Sequence, residues 1–331
     1  MKDNSTSKDW IDTANDFFQK DKKTKNDYSF VIFLLGKNSK IFNALKRHSL
    51  CTNDYVSQIV KTKSLKSNGM MSVCSKILLQ INAKLGGISY KTIIDKPLQK
   101  KKIMVVGVDS NHFGKRTAIA MVSSIDDSFA DFYNKEQIIE ENKVKQIQFC
   151  ISSFIEESIP QYEKINGEKP KNIIIYRQGV SDNIKDALKI EIKQIEQVCK
   201  NHSISFYYIL VNTRTTFKFF EKSGNKYSNP NAGLLVADGL VNSHKFEFFI
   251  QPQQVTGGSA TPTKFNVAYG NMDFSKFIPK FTYDLCYIYS NWQGTVRIPN
   301  VIKAAEKLSK MTVKNTIKEL NEKLSLGQSY L

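Results

Sequence analysis

The sequence predicts an α/β fold in two domains, and three observations carry that prediction. Apolar runs of strand length alternate with segments whose apolar residues recur at helical spacing, from residue 28 to the end. The chain has 331 residues, room for two domains at roughly 100–200 residues each. A basic stretch, 95–102, containing Pro97, separates two such alternating regions and is the best boundary.

Taken in order, residues 1–27 read as a polar tail with one helix over 10–19, ended by the solvated run 20–25. Residues 29–35 form a continuous apolar strand of the buried kind. Residues 39–48 are helical in pattern and 55–60 a short strand. Residues 70–84 form an amphipathic helix with Val73, Ile77, Leu78 and Ile81 on one face. Leu85, Gly86 and Gly87 end it, a glycine taking the left-handed cap. Beyond the boundary, IMVVGVD (103–109) is a strong strand ending at Asp109. Strands follow at 117–124 and 129–133, then a helix over 140–158, a strand at 172–176, a helix over 183–200 and a strand at 205–211. Later strands are expected at 234–238 and 246–251, with helices starting at 284 and spanning 301–322.

Composition narrows the classes. The apolar share of 41% and charged share of 24% are those of an ordinary globular chain. No run of about 18 apolar residues is present, so no membrane partner is expected. The first 26 residues lack the apolar core of a secretory signal. Five cysteines at 51, 74, 150, 199 and 286 share no CxxC spacing, which disfavours disulfide scaffolds and zinc sites and points to a reducing, intracellular compartment, cytoplasm or nucleus. The net charge of +17 is uneven: residues 1–108 hold 20 basic against 8 acidic residues, the rest 28 against 23. A basic first third points to a polyanion, nucleic acid first.

Two constellations could carry chemistry. Asp109 ends a hydrophobic strand where the sheet's carboxyl end faces a crevice, a usual place to hold Mg²⁺. In RNase H-like folds such an Asp joins further carboxylates to hold two metal ions on a scissile phosphate. The strand that would supply the second carboxylate runs instead into Gln178, a neutral amide. In the first domain, Lys46 and Arg47 on a helix, Gln58 on a strand, and Gln80 and Lys84 four apart on one helix face offer a lysine-and-amide set for a terminal phosphate. Histidines 48, 112, 202 and 244 form no metal-spaced pair, and neither GxxxxGK[ST] nor GxSxG occurs.

Six segments in order carry a resemblance: INAKLGG (81–87), IMVVGVD (103–109), IIIYRQGVSD (173–182), SNPNAGLLVADGLV (228–241), KFEFFIQPQQVTGGSATPTKFNVAYG (245–270) and FTYDLCYIYSNWQGTVRIP (281–299). Together they resemble the Argonaute superfamily, PIWI clade. The resemblance implies a Rossmann-like MID domain over 28–95, followed by an RNase H-like PIWI domain over 103–331, binding a small guide RNA and a complementary RNA target in RNA silencing. It further implies a pocket for the guide's 5′-phosphate. The family's tyrosine–lysine pair falls on Phe42 and Lys46, its glutamine on Gln58, and its pocket helix on Gln80 and Lys84. Phe42 lacks the phenol but keeps a ring on which the first base can stack. In this clade the chain's terminal carboxylate also reaches the pocket with a metal ion, and GQSYL resembles that terminus, which makes Leu331 the partner of a Mg²⁺.

The family's cleaving site is an Asp–Glu–Asp–His/Asp tetrad. Asp109 matches the first position and would be a metal ligand. Gln178 replaces the second Asp, Glu306 stands at the last position, and Glu141, with Glu140 as alternate, is the expected mobile glutamate. One neutral member weakens two-metal binding, so guide-directed cleavage is expected to be absent or very slow. An active Mg²⁺-dependent endoribonuclease and a non-catalytic assembly protein remain the alternatives. The N-terminal and PAZ domains of the family are not matched, which fits either a naturally short member or a truncated form; a short member would leave the guide's 3′ end free or held by a partner protein with PAZ-like function. Lys100–Lys102, Lys115, Arg116, Arg177, Arg214, Lys218 and Arg297 are further candidates for phosphate contacts.

Overall fold

The computed structural model describes residues 6–24, 30–36, 39–66, 68–140, 147–178, 185–237, 246–271 and 275–331. The first helix, α1 (Ser7–Thr24), is longer than the expected 10–19. It is no solvated tail: Ala14 is buried, Trp10 packs beside it, and Asn15 Oδ1 lies 2.8 Å from His48 Nε2. A parallel unit follows, β1 (Phe30–Leu35), α2 (Ser39–Arg47), β2 (Val56–Lys61) and α3 (Met70–Lys84), with β1 and β2 paired from Phe30–Val56 to Leu35–Lys61. The apolar side of α2 covers one face of this pair, burying Phe33, Leu35, Ile41 and Leu45.

Strand β1 is not buried on both faces as its apolar run predicts. Ile32 and Leu34 are each 54% exposed. Alternation along a strand sends them to the side opposite α2. On α3, Leu78 likewise faces out rather than joining Val73, Ile77 and Ile81. Gly86 takes the left-handed conformation, φ +82°, that ends α3.

The 95–102 stretch holds a short helix, α4 (Lys96–Gln99), whose Leu98 enters the main core. The large sheet then builds from β3 (Ile103–Phe113), β4 (Arg116–Ser124), β5 (Phe132–Glu140), β6 (Asn172–Gln178) and β7 (Ser205–Asn212). Helix α5 (Ile147–Asn166) precedes β6, and α6 (Lys185–Asn201) precedes β7. Beyond β7 come a small exposed hairpin, β8 (Glu221–Ser223) and β9 (Lys226–Ser228), and then β10 (Leu234–Val236), β11 (Glu247–Gln251) and β12 (Thr263–Gly270). The eight-stranded order is β10-β11-β12-β7-β6-β3-β4-β5, with β3, β6 and β7 parallel and β4 and β5 antiparallel. Helix α7 (Ile278–Asp284) and helix α8 (Asn300–Met311) complete the fold.

Both faces of this sheet are covered, and β3 shows how. Met104, Val106 and Val108 pack with α5 and α6, whereas Ile103 and Val105 join Val301, Ile302 and Ala305 of α8. Gly107 lies on the α8 side. A Cβ there would stand 2.4 Å from Val301 C, so only glycine lets helix and strand approach this closely.

Several element limits differ from the sequence expectation. Asp109 does not end its strand: β3 runs on to Phe113, because the ladder with β4 continues through the polar residues 110–112. The third strand begins at 132 rather than 129 and extends to Glu140, so the helix expected at 140 starts at 147. Residues 284–290 do not begin a helix; Asp284 is the last residue of α7. The helix expected over 301–322 leaves α-geometry after Met311, and Ile317, at φ 52°, stops it. Strand β12 was not foreseen.

Candidate nucleic-acid interface

Six separated residues meet in one cavity of about 280 Å³: Phe42 and Lys46 from α2, Gln58 from β2, Gln80 and Lys84 from α3, and the chain end Leu331. The sequence reading named all six. It missed Lys307, Lys310 and Asn315, which line the same cavity from α8 and the turn after it. Lysines 303, 307 and 310 fall at i, i+4 and i+7, the spacing of one helix face. That signal was present but resembles an ordinary solvated stripe.

Hydrogen bonds lock the arrangement. Lys84 Nζ donates to Ser57 O at 2.8 Å and to Gln58 Oε1 at 2.7 Å. Gln58 Nε2 donates to Gln80 Oε1 at 3.1 Å, and Gln80 Nε2 to Asn291 Oδ1 at 2.6 Å. Lys46 Nζ donates to the main-chain oxygen of Leu331 at 3.3 Å. Leu331 is held by its neighbours: Tyr330 Oη donates to Asn134 Oδ1, and Gln328 Nε2 to Ala130 O and Ser290 Oγ.

The charged side chains of this cavity are all basic, and the terminal carboxylate of Leu331 is the anion beside them. Lys46 and Lys84 are 4% and 6% exposed, and no Asp or Glu side chain lines the cavity among the described residues. Burial, then the charge of Lys307, pushes the Lys46 ammonium down to about 8, against a hydrogen bond with Lys84. Burial, the charge and hydrogen bond of Lys46, and then Lys307 push Lys84 down to about 5. Burial and the charges of Lys303 and Lys310 lower Lys307 as well. Holding a buried amine in its charged form is costly, and a second anion that fits the cavity lowers that cost.

Next to it lies a second cavity of about 480 Å³, sharing Lys307 and Lys310 and lined also by Gln178, Arg297, Lys303 and Glu306. Asp109 lies on the α8 side of the sheet, buried. Its Oδ2 accepts from Asn111 Nδ2 at 2.6 Å and from Ser309 Oγ at 2.8 Å. Burial and the charge of Glu306 raise its pKa, against the Ser309 hydrogen bond and the charges of Arg177 and Lys310. Glu306 is claimed by cations. Lys303 Nζ stands 2.7 Å from Oε2, and Lys310 bonds Oε1. Burial works to raise the Glu306 pKa, but these two hydrogen bonds hold it below the ordinary carboxylate value. Gln178 ends β6 at this cavity, its Oε1 buried without a donor.

The expected mobile glutamate is not brought here by the described residues. Glu140 is exposed at the end of β5 opposite Arg116, on a strand rather than a helix, and Glu141 lies outside the described residues. Arg177 is no surface contact either. It is buried, its Nε 3.6 Å from Glu191. Arg297 does reach the cavity, with Nη2 donating to Thr213 O and Thr261 O.

These donors do not fit a pair of divalent ions. One carboxylate is buried and bonded to Asn111 and Ser309, one is neutralised by two lysines, and the neutral oxygen of Gln178 cannot offset a dication. Among the described residues no group of three His, Cys, Asp or Glu has metal-holding geometry. No described helix is long and apolar enough to cross a membrane.

Comparison with known proteins agrees with this architecture. The Piwi domain family matches residues 29–317. The chain is 33% identical to Protein argonaute-3 of Drosophila melanogaster over 314 residues, which cover 93% of this chain and 35% of that protein. It therefore spans about a third of the length of this relative. Among solved structures, Drosophila Piwi superposes with a TM-score of 0.86 at 24% identity, over 100% of this chain and 45% of that one. Kluyveromyces polysporus Argonaute, solved with a guide RNA, superposes with a TM-score of 0.79 at 20% identity, over 95% of this chain and 43% of that one.

Proposed function

The chain belongs to the Piwi domain family, and from that premise we propose that it anchors the 5′-phosphate of a small guide RNA and holds a complementary RNA target without cutting it, as part of RNA silencing. One observation carries the reading: two buried lysines, Lys46 and Lys84, face a cavity that no acidic side chain lines among the described residues. A terminal phosphate offers them a charge-assisted partner. Gln58 and Gln80 provide amide groups beside it, and Phe42 a ring for the first base. The guide RNA in the Kluyveromyces Argonaute structure supports RNA as the ligand. On this reading residues 28–95 act as the guide-end unit and 103–331 as the target-facing unit.

Piwi domains are built on the metal-dependent RNase H-like fold. In the guide-end cavity the donor set suits one Mg²⁺, since the Leu331 carboxylate is a hard anionic ligand and a bound phosphate adds more oxygens. Such an ion supplies charge neutralisation between two anions. The chain's own residues do the positioning: Lys46 holds Leu331, and the Lys84–Gln58–Gln80 chain fixes the wall opposite.

The test compares RNA bearing a 5′-phosphate with the same RNA bearing a 5′-hydroxyl. A charge-assisted contact of about 2 kcal/mol gives about 30-fold tighter binding of the phosphate. Lys84→Met should remove most of that preference, and Lys101→Met should not. Equal affinity for the two RNAs would overturn the assignment.

A further inference from the structure

The second cavity carries its own cations. Lys303 and Lys310 bracket the two oxygens of Glu306, one turn apart on either side of it along α8, and both side chains remain partly exposed, at 37% and 47%. Each ammonium has three donors, so a bond to Glu306 leaves others free. Arg297 and Lys307 add positive charge to the same walls, and the 43% exposed Trp292, with Lys76 Nζ 4.9 Å from its ring centre, gives them an aromatic surface. Against this stands one lining carboxylate, already neutralised. A cavity with this balance attracts an anion, and its basic and aromatic lining matches a polynucleotide better than a small free anion.

We propose that in this cleft the ammonium groups of Lys303 and Lys310 take the place of divalent cations, so that a phosphodiester of an RNA strand seats on them directly and uncut, with Glu306 as the residue that positions both. The inference deepens the reading above and rests on it for which strand arrives. Lysine differs from a metal in a decisive way. It binds a phosphate oxygen but cannot lower the pKa of a water to make a nucleophile. Glu306 keeps the two flexible side chains in one place, and being an anion it also competes with the phosphate for them.

The experiment uses the full chain with separately labelled guide and target RNAs, and in parallel the guide-free protein with a 5′-hydroxyl oligo(U), a probe that needs no guide-end pocket. Lys303→Met is expected to weaken target binding about tenfold at 0.15 M salt and to reduce the salt slope by about one, with a matching loss for oligo(U). Guide retention should change less than twofold. Glu306→Gln is expected to strengthen target binding about threefold, because a competing anion is gone while the amide oxygen can still accept from one lysine; a metal ligand would not give that sign. Mn²⁺ titration followed by electron paramagnetic resonance should give the same number of bound ions for the wild type and for Asp109→Asn. A Lys303→Met protein with unchanged target and oligo(U) affinity and unchanged salt slope overturns the inference, as does an Asp109→Asn protein that has lost a bound Mn²⁺. A loss seen chiefly in guide retention supports the site and assigns its phosphodiester to the guide. Failure of the guide-end reading has a different signature, equal binding of 5′-phosphate and 5′-hydroxyl guides with the Lys303 effect on oligo(U) intact.

Discussion

Lys84 sets the behaviour of the guide-end cavity. Its pKa of about 5 leaves it uncharged at neutral pH in the free protein, and Lys46, at about 8, is partly discharged in mildly alkaline solution. A bound phosphate favours the charged form of both and raises both values. Binding therefore takes up protons, and affinity falls as pH rises from about 6 through 9. Below about 6 the phosphate's own second proton opposes the gain. Calorimetry at pH 7 in two buffers of different ionisation enthalpy should show about one proton taken up per RNA. The same measurement on Lys84→Met should show much less uptake.

At the scale of elements, α8 governs both cavities. It presents Lys307 and Lys310 to both cavities and Lys303 and Glu306 to the cleft, so its height above the sheet fixes the two sites together. Gly107 sets that height: its missing Cβ is what lets Val301 and Ile302 backbone touch β3. Gly107→Ala is expected to destabilise the protein by about 3 kcal/mol, read as a lower denaturation midpoint, and to weaken guide and target binding together. The segment after α8 is a second such element. Asn134 accepts from Tyr330 and donates to Ser325 O and Gly327 O, and Glu136 accepts from Leu320 N, which ties the chain's last residues to β5 and delivers Leu331 to Lys46.

For the molecule as a whole, the guide-end cavity exists only where the two units meet. Arg47 Nε donates to Thr316 O at 2.6 Å, Asn315 Nδ2 to Asn43 Oδ1 at 2.7 Å, and Asn321 N to Leu50 O at 2.8 Å, while Leu50 and Cys51 share the main core with α8. Adding two residues after Leu331 should displace its carboxylate from this junction and lower affinity for 5′-phosphorylated RNA about tenfold, whereas the same addition before Met1 should leave it unchanged; binding titrations of the two proteins check this. The sequence by itself determined the α/β alternation, most of the strands in their chain order and six residues that line one cavity, because apolar periodicity and ordered motifs are local or linear signals. It also showed the loss of charge at Gln178. Tertiary structure alone decided the rest. Strand β3 runs past Asp109 because its ladder with β4 outlasts its apolar stretch. Ile32 and Leu34 stay in solvent because α2 covers only one side of the two-stranded sheet. The lysines of α8 became the walls of two cavities, and Glu306 was neutralised by them, because a helix turns a solvated-looking stripe into a site only when its packing aims that stripe at the surfaces of other elements.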